Sequence, residues 1–239
     1  MTAIWAALGL GMLGVVSIPL LAPVIVVCYV RGALLTHELM HVRRPEQVAW
    51  PLRMMMLFDT PFGLGYREHQ DIHLRHHQRP AAPGDPELFQ IRGGSARAFV
   101  AAMAGPELAA IRWVSEHGID AGLRREATVR ALVMLSLAAL QPAVFVAYWV
   151  VLRLTVGVAN FMFHHVLHYR GGEYGTFPLR LPRPLDAVLR LVLGSSLAAV
   201  LSEHDAHHAW SQVKAERLRG LLAQFPRGPR LPAKSEVRA

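Results

Sequence analysis

The chain has 239 residues and very little cysteine: its one cysteine, Cys28, lies inside an apolar block. A single thiol cannot form an intrachain disulfide. It also excludes zinc and iron–sulfur sites built from several thiolates. Any metal site in this protein must therefore use nitrogen or oxygen ligands.

Lysine is nearly as scarce, since 23 of the 25 basic residues are arginine, and the net charge is +8. The sequence has no basic stripe interleaved with aromatic residues, which argues against nucleic-acid binding. The arginines instead flank apolar blocks, as they do in membrane proteins that follow the positive-inside rule. The expected partner is a membrane, with no nucleic acid.

Charge is absent from Ile4 to Val30, an apolar block punctuated by Pro19 and Pro23. These residues lack the basic start and the small-residue cleavage site of a secretory signal, so we expect them in the mature protein. A second apolar block, Ala131 to Phe163, is broken at Gln141-Pro142. Two such blocks predict an all-α integral membrane protein whose transmembrane helices are paired, as two short hairpins.

The region between the blocks is more polar. Pro51 to Gly65, with Met54, Met55 and Met56 as packing residues, is expected to be an interfacial or re-entrant piece. Ala96 to Val114 is predicted to be an amphipathic helix at the membrane surface. Residues 1–224 are predicted to form one membrane-embedded domain, and the basic tail 225–239 is predicted to be disordered.

The histidines of this sequence are unusually clustered. Of 13 histidines, only His117 lies outside four clusters. The clusters are HELMH (residues 37–41), HQDIHLRHH (69–77), HHVLH (164–168) and HDAHH (204–208). Grouping of this kind predicts that the four clusters fold together into one metal site.

Residues three or four apart share one face of a helix, so each cluster can direct two or three imidazoles to one point. On that rule His164 pairs with His168. The total exceeds what one tetrahedral zinc needs and suits two metal ions, and imidazole is compatible with iron, zinc, copper or nickel. Glu38, Asp71 and Asp205 are expected to orient imidazoles by accepting their other N–H.

All four clusters adjoin arginine-rich segments, whereas both proline breaks are uncharged. If each apolar block is a hairpin, every cluster falls on the cytoplasmic side of the membrane. A bacterial inner membrane with a cytoplasmic histidine-rich helical cap is the expected location. Arg153 is the difficulty, since the hairpin arrangement places it close to or within the bilayer.

Three of the boxes resemble those of the membrane fatty acid desaturase and hydroxylase superfamily, which carries HxxxH, HxxHH and a last HxxHH in this order. Asn160-FMF-His164 is similar to a further motif of these enzymes, in which the asparagine holds a water on one iron. The resemblance covers roughly residues 20 to 220. It implies a metal set of His37, His41, His73, His76, His77, Asn160, His164, His204, His207 and His208.

The family likeness implies a non-haem di-iron enzyme that uses O2 and external electrons to desaturate or hydroxylate a C–H bond of a fatty-acyl or other long lipid chain. His69, His165 and His168 are additional, so the ligand within HHVLH is open between His164, His165 and His168. No room remains for a fused b-type cytochrome domain. Electrons are therefore expected from a separate donor, a ferredoxin or a b-type cytochrome with its reductase.

Three alternatives remain at this point. Carotenoid ketolases and hydroxylases share the fold and a similar length. HELMH is also an HExxH string, in which Glu38 would be the general base of an integral membrane zinc metalloprotease, although this leaves the other clusters unexplained. A histidine-rich metal transporter would need ionisable residues within the spans, and these are few.

Overall fold

The computed structural model describes residues 2–41 and 63–224, and within them the chain is mostly helical. The expectations for Met54, Met55 and Met56, for nearly all of Pro51 to Gly65 and for the tail 225–239 fall outside the described residues. The helices are α1 (Thr2–Met12), α2 (Ile18–Met40), α3 (Tyr66–Gln78), α4 (Leu88–Ile91), α5 (Ser95–Met103), α6 (Gly105–His117), α7 (Ala121–Leu140), α8 (Pro142–Asn160), α9 (Arg183–Leu193), α10 (Ser195–Ser202), α11 (His204–Ala209) and α12 (Ala215–Gln224).

The first apolar block forms a helical hairpin of α1 and α2. The chain turns at residues 13–17, and Pro19 lies in the first turn of α2, where its missing N–H has no helical partner to lose. The second block breaks at Gln141, and α8 begins with Pro142. Both proline positions thus mark the start of a second leg.

The two hairpins pack on each other through α2 and α8. Ile25, Tyr148, Leu152 and Val156 are at most 1% exposed at this contact. The outward faces are also apolar: Leu20 is 75% exposed and Leu135 is 67% exposed. Within residues 2–41 and 63–224, two stretches are long and apolar enough to cross a membrane, Ile18–Met40 and Pro142–Val166.

Arg153, on α8, is neutralised by a neighbour. Its guanidinium pairs with the Glu107 carboxylate of α6, donates to the Met103 carbonyl at 3.4 Å and lies over the Trp149 ring. The charge is therefore paired within the protein, which answers how an arginine is tolerated in this apolar helix.

Two segments of the chain are each divided into two helices. Ala96 to Val114 is divided between α5 and α6, because Pro106 in the first turn starts a new helix. The apolar stretch 185–201 is divided between α9 and α10 by Gly194, whose φ of +84° is a conformation that glycine adopts readily.

The region after α8 is the main departure from regular helix. Residues Phe161–Val166 form a π-helix, with the Leu167 N–H donating to the Met162 carbonyl. A short hairpin follows, in which β1 (Tyr169–Arg170) pairs antiparallel with β2 (Glu173–Tyr174) around Gly171 and Gly172. Among the described residues, the all-α expectation therefore holds apart from these four strand residues.

The close approach of α5 to α8 depends on Gly157. A Cβ there would meet the Met103 side chain, with Cγ at 3.0 Å, and the Met103 Cα at 3.3 Å. We expect Gly157→Ala to destabilise the protein by about 1–3 kcal/mol through overpacking, and to lower the thermal unfolding midpoint.

The matched control is Gly9→Ala on α1, where a Cβ meets nothing within 4 Å. Helix propensity alone should make that variant neutral or slightly more stable. Equal midpoints for the two variants would show that α5 does not pack closely on Gly157.

Candidate metal centre

Five imidazoles from three helices converge on one point. Their ligand nitrogens all lie within 4.8 Å of one another, and His41 Nε2 and His73 Nε2 are 3.0 Å apart. The end of α2, the second half of α3 and the short α11 supply them. This first group is His37, His41, His73, His77 and His207.

A second group of His76, His168 and His208 lies beside the first. The Nε2 atoms of His76 and His168 are 3.2 Å apart, and His204 Nε2 is 3.1 Å from His168 Nε2. The stacked rings of His77 and His208, with centroids 4.0 Å apart, join the two groups. Histidines of all four clusters, which the sequence predicts to form one metal site, thus contribute to two adjacent groups.

Two tautomers in the second group are fixed by acceptors on the far side of the ring. His168 Nδ1 is 2.7 Å from the Gly175 carbonyl, and His76 Nδ1 is 2.9 Å from Asp85 Oδ2. A carbonyl oxygen and a carboxylate can only accept, so Nδ1 carries the proton in each ring. Nε2 then directs a lone pair at the group, which is the state a metal ligand requires.

The polar atoms of the centre fit a bound cation. His77, His207 and His208 have both ring nitrogens buried, with no hydrogen-bond partner in the described part of the chain. Each unsatisfied buried polar atom costs about 1–3 kcal/mol. A set of neutral imidazoles in two groups suits two divalent transition-metal ions, because imidazole nitrogen is a good ligand for iron, zinc, copper and nickel.

Burial keeps these rings uncharged. It lowers the pKa of His73, His77, His204, His207 and His208, and repulsion between neighbouring imidazoles lowers each further. His76 differs: burial lowers its pKa, but the Glu87 and Asp85 carboxylates outweigh that effect and raise it.

The structure separates the three histidines of HHVLH. His168 joins the second group, whereas His164, whose Nδ1 is 3.3 Å from Glu87 Oε2, is in neither group. His165 uses both nitrogens within the protein, to the Ile91 carbonyl at 2.8 Å and the Ser95 hydroxyl at 3.0 Å. The α-helical spacing rule pairs His164 with His168, but residues Phe161–Val166 form a π-helix, to which that spacing does not apply, and only His168 belongs to the second group.

The amide nitrogen of Asn160 lies 3.4 Å from the Ala102 carbonyl. Asn160 lines the same cavity as His164 and Glu87. His117 is exposed and stacks on Trp113, away from the centre.

Sequence reasoning missed the carboxylates of the loop before α4. Asp85 accepts from His76 and from the backbone N–H groups of Ala81 and Glu87, at 2.7 and 2.9 Å. Asp71, expected to orient an imidazole, pairs with Arg75 at 2.8 Å instead. The GDPE string at residues 84–87 was the available signal, since an acidic residue following a turn can accept several N–H groups.

Glu87 is buried next to Asp85. Burial raises its pKa to about 7, His76 opposes that rise and Asp85 adds to it. Glu38 lies 3.8 Å from Nδ1 of both His37 and His207, beside the first group. Carboxylates therefore contact the centre from both sides.

A cavity of about 150 Å³ opens beside the two groups. Its apolar wall comes from α2, α8 and the π-helix, and includes Tyr29, Ala33, Met40, Val156 and Phe163. Histidines of both groups also line the cavity. An apolar chain in this cavity would lie against the imidazoles.

The sequence model of the fatty acid desaturase family matches residues 11–225, which includes all four histidine clusters, the whole of α2 and the whole of the second hairpin. The chain belongs to the fatty acid desaturase family. The resemblance drawn from the boxes is thereby confirmed. No curated protein and no solved structure matches the chain.

Membership in the desaturase family makes this protein an oxidoreductase-type enzyme, associated with a lipid substrate in general. The buried histidines are compatible with a metal site. Membership also weighs against the zinc protease alternative, which accounted for HELMH alone.

In this desaturase-family centre, Asp85→Asn should impair His76 as a ligand, because the amide can offer its NH2 and no longer fixes the proton on Nδ1. We expect metal affinity to fall by about 10–100-fold, measured by metal titration of the purified apoprotein. Asp71→Asn is the matched control, since Asp71 pairs with Arg75 on the exposed side of α3. Equal metal affinity in the two variants would show that Asp85 does not orient His76.

The metal-free protein should lose stability in acid. The unfolded imidazoles take up protons near the ordinary pKa of 6.5, whereas the buried rings with lowered pKa do not. The unfolded state then binds more protons, so the free energy of unfolding falls as the pH drops below that value.

His76 and Glu87, whose pKa values are raised, act in the opposite direction but are outnumbered. Thermal unfolding of chelator-treated protein at about pH 8 and about pH 5 tests this. A midpoint that stays constant or rises in acid would contradict the buried, neutral centre.

Proposed function

We propose that this protein is an integral membrane di-iron enzyme that uses O2 and external electrons to desaturate or hydroxylate a C–H bond of a fatty-acyl or other long lipid chain. The observation that carries the proposal is the pair of adjacent, buried imidazole groups. Membership in the fatty acid desaturase family supports the reaction class.

We place residues 1–224 in one membrane-embedded domain, with the metal centre facing the cytoplasm of a bacterial inner membrane. The outward apolar faces of the hairpins support insertion, since Leu20, Leu135 and Leu140 are 75%, 67% and 72% exposed. The arginine-rich segments around the clusters support the cytoplasmic side.

The proposed ligands of the first ion are the five histidines of the first group. For the second ion we propose His76, His168, His204 and His208, so that His168 takes the place first expected for His164. The lone pairs that Asp85 and Gly175 direct inward at His76 and His168 support this choice. Asn160 and His164 would line the cavity instead.

Iron bound there would supply the activation of dioxygen and the removal of a hydrogen from an unactivated carbon. The residues of the chain itself would hold the metal ligands and orient the substrate. Asp85 keeps the proton on His76 Nδ1, and the apolar wall containing Tyr29, Val156 and Phe163 excludes water and positions a hydrocarbon against the imidazoles. The same cavity could take a carotenoid end, which keeps ketolation or hydroxylation of a carotenoid as the alternative.

The electron donor is proposed to be separate, either a ferredoxin or a b-type cytochrome with its reductase. The basic character of the chain suits an acidic carrier, since complementary charge speeds encounter.

Iron content tests the centre. The purified protein should hold about two irons per chain, and His76→Ala and His207→Ala should each lower that content. His168→Ala should lower it and His164→Ala should not. His117→Ala, an exposed position outside the clusters, is the matched control. One tightly bound zinc without iron, with peptidase activity lost in Glu38→Gln, would overturn the proposal.

Product analysis tests the reaction. After co-expression with a ferredoxin system, mass analysis of host lipids and carotenoids should reveal products that have lost two hydrogens or gained one oxygen. The change should disappear in His207→Ala. An identical lipid profile with the active and the iron-free protein would exclude these substrates.

A further inference from the structure

Helix α9 has more apolar surface than it buries against the rest of the protein. Leu189, Val192 and Leu193 pack in a core cluster with Val30 and Leu34 of α2. A second apolar row remains outside: Leu185 and Val188 are each 55% exposed and Leu191 is 84% exposed. Large apolar side chains in such a row mark an interaction surface.

The polar residues of α9 occupy the remaining side. At 100° per residue, Arg183, Asp186 and Arg190 fall together, opposite the exposed row. Arg190 holds Asp186 through two contacts of 2.6 and 2.9 Å. Ala187, also exposed, lies at the edge of this polar side, midway between Arg183 and Leu191 around the helix. The helix therefore has the division into one apolar and one charged side that is typical of helices lying in a membrane interface.

The position of α9 agrees with such a location. The Arg31 guanidinium donates to the Val192 carbonyl at 3.3 Å, and Arg31 is the first charged residue after the charge-free block that starts at Ile4. Earlier on α2, Leu20 and Val24 are exposed and apolar. The end of α9 is thus attached to α2 at the level where the outward apolar surface of the hairpin meets charge.

The charge around the exposed row is positive. Arg31, Arg180 and Arg183 are all exposed near the two ends of α9. Arginine at this depth can contact lipid phosphate while its stem lies along apolar surface. A bilayer that carries anionic phospholipid satisfies both the apolar row and the arginines, whereas a second copy of this basic chain would bring like charges together.

We propose that α9 lies in the cytoplasmic interface of the membrane, with Leu185, Val188 and Leu191 inserted at the boundary of the acyl chains and the flanking arginines at anionic headgroups. This inference rests on the proposed membrane location. It adds a lipid contact beyond the hairpins, on the side of the protein next to α11 and the metal centre.

Single-cysteine variants in a Cys28→Ser background test the depth. Val188→Cys, Leu191→Cys and Ala187→Cys are each labelled with an environment-sensitive fluorophore, in vesicles of phosphatidylcholine and phosphatidylglycerol that contain a nitroxide-acyl lipid. Probes at 188 and 191 should be quenched roughly two-fold or more relative to the probe at 187, because only the former reach hydrocarbon depth. Ala187 is the matched control, as an exposed residue of the same helix.

Leu135→Cys on α7 separates the two proposals, since Leu135 is 67% exposed on a hairpin. Quenching at 135 without quenching at 188 and 191 overturns the inference for α9 alone. Absence of quenching at 135 overturns the membrane location itself. Shielding of 191 from water without lipid quenching, together with cross-linking between chains, would identify a second copy as the occupant and overturn the lipid contact.

A final experiment varies the charge of the lipid. Vesicles of phosphatidylcholine alone should give weaker quenching at 191 than vesicles with phosphatidylglycerol, because the arginine contribution is lost. Equal quenching in both would refute the anionic component of the proposal.

Discussion

The arrangement depends on keeping many imidazoles uncharged in one small volume. Protonated rings at these separations would repel one another strongly, so the centre requires burial deep enough to remove the protons. The fold provides it by closing α2, α3, α11 and the turn after the π-helix around the rings. His207 and His168, for example, are completely inaccessible. The hairpins and the carboxylate loop support that enclosure.

Much of this could be predicted from the sequence, because the signals are local. Proline breaks in the two apolar blocks predicted the two hairpins, and the spacing within HELMH and HLRHH predicted shared helical faces. His37 with His41, and His73 with His77, do lie together in one group. Rules of three and four residues hold wherever the helix is regular.

The features that could not be predicted depend on contacts between distant residues, which the spacing of a motif does not encode. Asp85 contacts His76, nine residues earlier, because the loop between them folds back on α3. The Gly175 carbonyl contacts His168 because a two-residue turn joins β1 and β2. The pairing of Arg153 with Glu107 joins residues 46 apart. A sequence pattern indicates that such charges need partners but does not identify them.

The π-helix after α8 has a consequence for how such chains are compared. It places one more residue in a turn than an α-helix does, so every side chain beyond it is rotated relative to the residues before it. A search built on uninterrupted α-helical spacing from Asn160 selects His164, four residues on, and passes over His168, eight residues on. Alignments of related chains should therefore weigh both histidines before assigning equivalent positions.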